Sequence, residues 1–377
     1  MDLALTLDYE LFGEGTGDVL RDVIQPTARL LRICGSHGVR ITIFFEVVEY
    51  WKLKEAFKNG ICGGGSDDPT ELMKRQLAEA YEHGHDIQLH IHPQWLRAEH
   101  SDDGWQVDRS LWRLSSIGSS SNSMSAIDLR DLLARGKKTL EGIIHRINPE
   151  YRCEIFRSGG LNIQPSYHIV KAMRSTGLKA DSSVFPGGFA DSDYACYDYR
   201  MVNNYIPWWV TKGNDLLEMS VNEPPGENQS IYELPIFSLP MRRVWKYDLH
   251  RLKVKLGNRH AIRTTRTQFH SKTRKKSKLK FLLESESLMW DFCLLSESKM
   301  KWFFRKATEI YERSEYPYHP FVLIGHSKEF IRPEAFERFL SYTTNSSVPV
   351  EFATLTEVLR RVEAIQSNTT GEKRAIG

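Results

Sequence analysis

The stretch Leu3-Ala4-Leu5-Thr6-Leu7-Asp8-Tyr9-Glu10 sets the fold. An apolar run at the very start of the chain ends in two acids. On an extended strand, residues two apart face the same way, so Asp8 and Glu10 share a side. Reading outward, a helix begins near Pro26, carries Leu30, Leu31 and Cys34 on one face, and stops at Gly38. Residues 40–47 (RITIFFEV) are β-branched and aromatic, the composition of a buried strand. Asp68-Pro69-Thr70-Glu71 is a helix start, with Asp as cap and Pro in the first turn. Asp86–His92 is the third strand. Strands follow at Cys153–Phe156, Leu178–Val184, Glu233–Phe237, Met289–Cys293, Phe321–His326 and Val348–Leu355, with helices between most of them. Ser125 is expected to cap the helix that carries Leu129, Leu132 and Leu133. The stretch Pro186–Asn228 has weak periodicity. About eight βα steps predict an α/β fold, a distorted (β/α) barrel.

The composition agrees with a globular chain. Its 377 residues are 41% hydrophobic and 26% charged, too apolar for disorder. Five scattered cysteines without a CxxC pair argue against a disulfide framework or a thiolate zinc site. No basic leader with an apolar run precedes the first strand, so a cytoplasmic location is expected, with a peripheral membrane association as an option. The net charge of +3 hides a polarised chain. Residues 241–280 carry 15 Lys and Arg against one acid, Asp248, a net +14, which leaves −11 on the rest. This segment is expected to be an insertion between two parts of the barrel, 1–240 and 281–366, with 367–377 as a tail. An anionic membrane surface or an acidic glycan is its expected partner, and nucleic acid the least expected, since no helix-turn-helix, zinc finger or aromatic RNA-binding pattern accompanies it.

In such a barrel, chemistry sits at the C-terminal ends of the strands. Acids, histidines and an arginine fall there repeatedly: Asp8 and Glu10; His90 and His92; Arg157; Asp181; His326. Two imidazoles with one or two carboxylates suit one divalent ion of borderline softness, zinc first. Arg157 is expected to hold Asp8 or neutralise the site, and Asp181 to orient His326, a candidate proton donor. Trp95 and Trp208 suit stacking on sugar faces, and Asp291 a substrate contact.

These residues carry a family resemblance. Leu5-Thr6-Leu7-Asp8-Tyr9-Glu10 resembles the first motif of the NodB-type polysaccharide deacetylases, and Gly84-His85-Asp86-Ile87 with His90-Ile91-His92-Pro93 their metal-binding motif. Phe156-Arg157, Glu233-Leu234-Pro235 and Leu323-Ile324-Gly325-His326 resemble the remaining three. The resemblance runs from about residue 1 to 360. It implies a distorted barrel, one divalent metal and hydrolytic N-deacylation of amino sugars. It also implies Asp8 as general base and Glu10 as metal ligand, or the two in exchanged roles. The departures are an acid one step late at Glu10, histidines two apart instead of four, and Ser158-Gly159-Gly160 where a proline is usual. They mark a divergent branch of the sort found with surface polysaccharide synthesis. Hydrolysis of another sugar C–N bond, such as a uronamide, and a degenerate glycan-binding barrel are the alternatives.

Overall fold

A computed structural model describes residues 1–61, 68–101, 104–117, 128–192, 195–210, 215–218, 230–258 and 282–375. Nine strands form one sheet: β1 (Asp2–Tyr9), β2 (Thr42–Glu46), β3 (Asp86–Ile91), β4 (Ile155–Ser158), β5 (Ala180–Asp181), β6 (Trp208–Val210), β7 (Ile231–Glu233), β8 (Pro320–His326) and β9 (Glu351–Phe352). Their order is β6-β7-β5-β4-β3-β2-β1-β8, and β9 also pairs with β1. All pairs are parallel except β6 with β7. Every residue of β1, β2 and β3 is buried, as expected of parallel strands covered on both faces.

The sheet curls. Beyond β7 the chain runs on without regular pairing: the Ile236 amide donates to Val184 O at 2.9 Å and the Phe237 amide to Val322 O at 2.8 Å. That bridge joins the β5 side to β8, so the expected distorted barrel is the observed architecture. The strand expected at Met289–Cys293 divides. Ser285–Met289 pairs antiparallel with Ser238–Arg242 off the barrel, while the Phe292 amide donates to Ile324 O at 3.0 Å. Gly325 permits this close packing. A Cβ there would lie 2.5 Å from the Phe292 ring and 2.7 Å from Cys293 Sγ.

The α-helices among the described residues are α1 (Gln25–Ser36), α2 (Val47–Lys58), α3 (Pro69–Glu82), α4 (Leu129–Ile144), α5 (Tyr167–Thr176), α6 (Leu249–Gly257), α7 (Glu297–Glu312), α8 (Pro333–Thr344) and α9 (Leu355–Ala375). Asp68 caps α3 as its sequence predicts, accepting from the Thr70 amide. The α4 cap is Asp128, which accepts from the Arg130 and Asp131 amides; Ser125 lies outside the described residues. Residues 259–280 of the basic segment lie outside them too. No helix among the described residues is long and apolar enough to cross a membrane.

Register lines up the chemistry. Asp8 stands opposite His326 on β8, Glu46 of β2 opposite His90 of β3, and His90 opposite Arg157 of β4.

Candidate metal centre

Glu10 follows β1 and His92 follows β3, each one residue past the strand, with His90 inside β3. Their ligand atoms lie within 4.8 Å of one another, and all three residues are buried. Glu10 Oε2 is 3.1 Å from His90 Nε2 and 2.6 Å from His92 Nε2. The other Glu10 oxygen, Oε1, accepts from Lys328 Nζ at 2.6 Å, and the same ammonium donates to Leu11 O at 2.7 Å. Burial pushes Glu10 upward, but His92 and Lys328 outweigh it and hold the carboxyl well below the usual carboxylate range.

The histidines are oriented from behind. His90 Nδ1 faces Arg157 O at 2.9 Å, a carbonyl that fixes the ring proton on Nδ1 and leaves the Nε2 lone pair for a cation. The His92 backbone amide donates to Glu46 Oε1 at 2.8 Å. Gln94 Nε2 lies 2.8 Å from His92 Nδ1, while Gln94 Oε1 is buried without a partner. With the amide nitrogen facing it, His92 carries its proton on Nε2 and donates it to Glu10. Turning the amide over would put an acceptor at Nδ1, move the ring proton there and free Nε2 as a ligand, at the cost of the bond that Gln94 Nε2 donates to Gly13 O at 3.2 Å. One carboxylate and two imidazoles fit a zinc-like ion with a position open to water. The glycines of Ser158-Gly159-Gly160 have a use here: a Cβ on Gly159 would lie 2.7 Å from the His92 ring and 2.7 Å from Ile91 O.

Asp8 belongs to a different set of contacts. Its Oδ1 accepts from Arg157 at 2.7 Å, and its Oδ2 lies 3.9 Å from His90 Nε2 and 3.6 Å from His326 Nε2. Arg157 is fully buried, donates to Thr6 Oγ1, Ser182 O and Ser182 Oγ, and lies over the Phe44 ring. Burial raises the Asp8 pKa; Arg157, then His90 and His326, more than offset it, so the group sits below its ordinary value.

His326 Nδ1 is 3.2 Å from Glu329 Oε2. Burial disfavours its charge, yet the Glu329 carboxylate, in charge contact with Nδ1 and not in hydrogen-bonding alignment with it, and then Asp8 raise it to about 9. Asp291, His326 and Glu329 form a second close group.

Several expectations need correction. Asp181 does not orient His326. Its carboxylate accepts from the Ser183 amide and hydroxyl, and Glu329 takes the role at His326. Trp208 offers no stacking face: it is 0% exposed and its indole N–H donates to Leu216 O at 2.7 Å. Trp95 is 1% exposed and packs edge-on against Trp105. Asp291 is buried, and one of its oxygens accepts from the Cys293 and Leu294 amides, so it sits beside His326 and not on an open substrate surface. Lys328, Glu329, Glu46 and Gln94 are the residues that sequence reasoning missed.

No family model matches the chain, and no curated protein does. Among solved structures, a protein of Mycobacterium smegmatis assigned as a polysaccharide deacetylase aligns at 13% identity, covering 97% of this chain and 91% of that one, with a TM-score of 0.47. The Puue allantoinase aligns at 13% identity over 96% and 90%, with a TM-score of 0.46. A Pseudomonas aeruginosa PAO1 protein, also assigned as a polysaccharide deacetylase, aligns at 13% over 95% and 89%, with a TM-score of 0.44. Likenesses at this level carry no chemistry across.

Proposed function

We propose that this protein is a metal-dependent hydrolase that removes an N-acyl group from an amino sugar or a sugar-containing polysaccharide precursor. One observation carries the reading. A carboxylate held ionised by Arg157 and an imidazolium held charged by Glu329 face each other beside the Glu10–His90–His92 cluster, with 3.6 Å between Asp8 Oδ2 and His326 Nε2. A base and an acid next to one cation site are what amide hydrolysis needs.

Glu10, His90 and His92 would hold the ion. The chemistry such an ion would supply there is polarisation of an amide carbonyl and a lowered pKa of water. Asp8 takes the proton from the attacking water, Arg157 keeps Asp8 ionised and fixed, and His326 gives its proton to the departing amine. Glu329 keeps that proton on His326 until it is needed. The half-buried Trp112 lies against Gly13 and Gly160, next to the Gly159 that packs on the His92 ring, and is the aromatic assigned here to a sugar ring.

The test is release of a free amine and a carboxylic acid from N-acylated hexosamine oligosaccharides, abolished by a chelator and restored by zinc. Turnover should fall on the alkaline side as His326 loses its proton, at about pH 9. His326→Gln should lower the rate by about a hundredfold and flatten that limb. An unchanged alkaline limb in the variant would remove His326 as the acid.

A metal-free glycan-binding barrel is the second reading, and one contact favours it. The Lys328 ammonium already neutralises Glu10.

A further inference from the structure

Six of the fourteen large hydrophobic side chains exposed among the described residues fall in one short stretch: Val244, Trp245, Tyr247, Leu249, Leu252 and Leu256. Leu249 is 74% exposed and Leu252 52%. Leu249, Leu252 and Leu256 repeat at i, i+3 and i+7, which makes one apolar stripe along α6. The opposite face of the helix is fastened to the body. Val254 is buried, Asn258 Nδ2 donates to Lys328 O at 3.0 Å, and His250 Nε2 lies 3.3 Å from Cys293 O. Asp248 pairs with Lys299 at 2.7 Å. The helix is therefore held against the end of β8, next to the Lys328 that touches Glu10, with its leucines turned outward.

The charge around the stripe is one-sided. At about 100° per residue, Lys253 falls on one flank of the stripe and Lys255 on the other. Among the described residues no acid pairs with Arg242, Lys253 or Lys255. The sequence then stays basic, with 15 Lys and Arg against one acid over 241–280. An apolar stripe edged by lysines, with a tryptophan and a tyrosine beside it, has the make-up of a helix lying in a membrane interface. A hydrophilic acidic glycan would leave the leucines in water. A second copy would bring its own +14 against the first.

We propose that α6 and the turn before it, Arg243–Lys246, lie in the surface of an anionic lipid bilayer, with the leucines at the acyl boundary and the lysines among the headgroups. The proposal stands on this surface and not on the hydrolase reading. Where both hold, the substrate class is an acylated amino sugar carried on a lipid, because α6 adjoins the metal centre.

The test uses the full chain and sedimentation with two kinds of vesicle, phosphatidylcholine alone and phosphatidylcholine mixed with phosphatidylglycerol. The protein should pellet with the anionic vesicles only. The triple variant Leu249→Ser, Leu252→Ser, Leu256→Ser should bind them about tenfold more weakly. Lys253→Gln with Lys255→Gln should weaken binding mainly at low salt, as screened charges do. In the otherwise native chain, bromine-labelled lipid should quench Trp245, seen as the difference from Trp245→Phe. That readout does not depend on how well the triple variant folds. Failure of the native protein to pellet, equal binding by the triple variant, no difference in quenching, or a dimer in solution that the triple variant dissolves would each overturn the proposal.

Discussion

Asp8→Asn should lower turnover by about 10²–10⁴-fold while leaving bound metal at the native level, since a positioned base contributes on that scale. Asn keeps the shape of Asp but cannot take a proton from water. The geometry separates the two acids of the first motif. Glu10 touches both histidines, whereas Asp8 is tied to Arg157 at 2.7 Å and stands 3.9 Å from His90. The measurement is turnover together with elemental analysis on the same preparation, with circular dichroism to confirm the fold. Loss of metal from Asp8→Asn, with metal retained by Glu10→Gln, would show that the two acids have exchanged roles.

Arg157→Met should destabilise the fold by about 3–5 kcal/mol, because it strips the counter-ion from a buried carboxylate. The guanidinium is fully buried and serves four oxygens: Asp8, Thr6, Ser182 O and Ser182 Oγ. It also covers the Phe44 ring, with its central carbon 4.0 Å from the ring centre. Methionine fills similar space but satisfies none of those oxygens, and Asp8 is left charged in the barrel interior or must take up a proton. The same substitution should therefore raise the Asp8 pKa, from below its ordinary value toward the protonated state at neutral pH. Urea unfolding measures the loss of stability. A change under 1 kcal/mol would mean that water reaches Asp8 and that the ion pair is not what holds it.

The barrel and the cluster of Asp8, Glu10, His90 and His92 are legible because their signals are local. Leu3–Asp8 and residues 40–47 are apolar runs of strand length, and covered parallel strands have to be apolar on both faces. Asp8 with Glu10, and His90 with His92, share a side by strand geometry alone. What escaped was set by distant packing. Lys328 and Glu329 follow His326 in a short turn, and no periodicity says that Lys328 will reach Glu10, 318 residues away in sequence. Asp181 and Glu329 both stand near strand ends, and only the fold shows which one meets His326. The burial of Trp208 escapes the sequence for a similar reason. It lies in a three-residue antiparallel strand after Pro207, too short to show a period, and the strand buries it. Trp95 looked available because it follows the histidine motif directly, yet the turn Pro93–Arg97 folds it inward.

The central claim is that Glu10, His90 and His92 hold one divalent ion, and metal stoichiometry tests it most directly. The native chain should carry one divalent ion per molecule by elemental analysis after exhaustive dialysis against metal-free buffer and loading with zinc. His90→Ala with His92→Ala should drop that to background, since a single carboxylate already paired with Lys328 cannot retain the ion. A native chain that takes up no metal, or a double variant with undiminished stoichiometry, would contradict the account and leave Lys328 as the only cation that Glu10 holds.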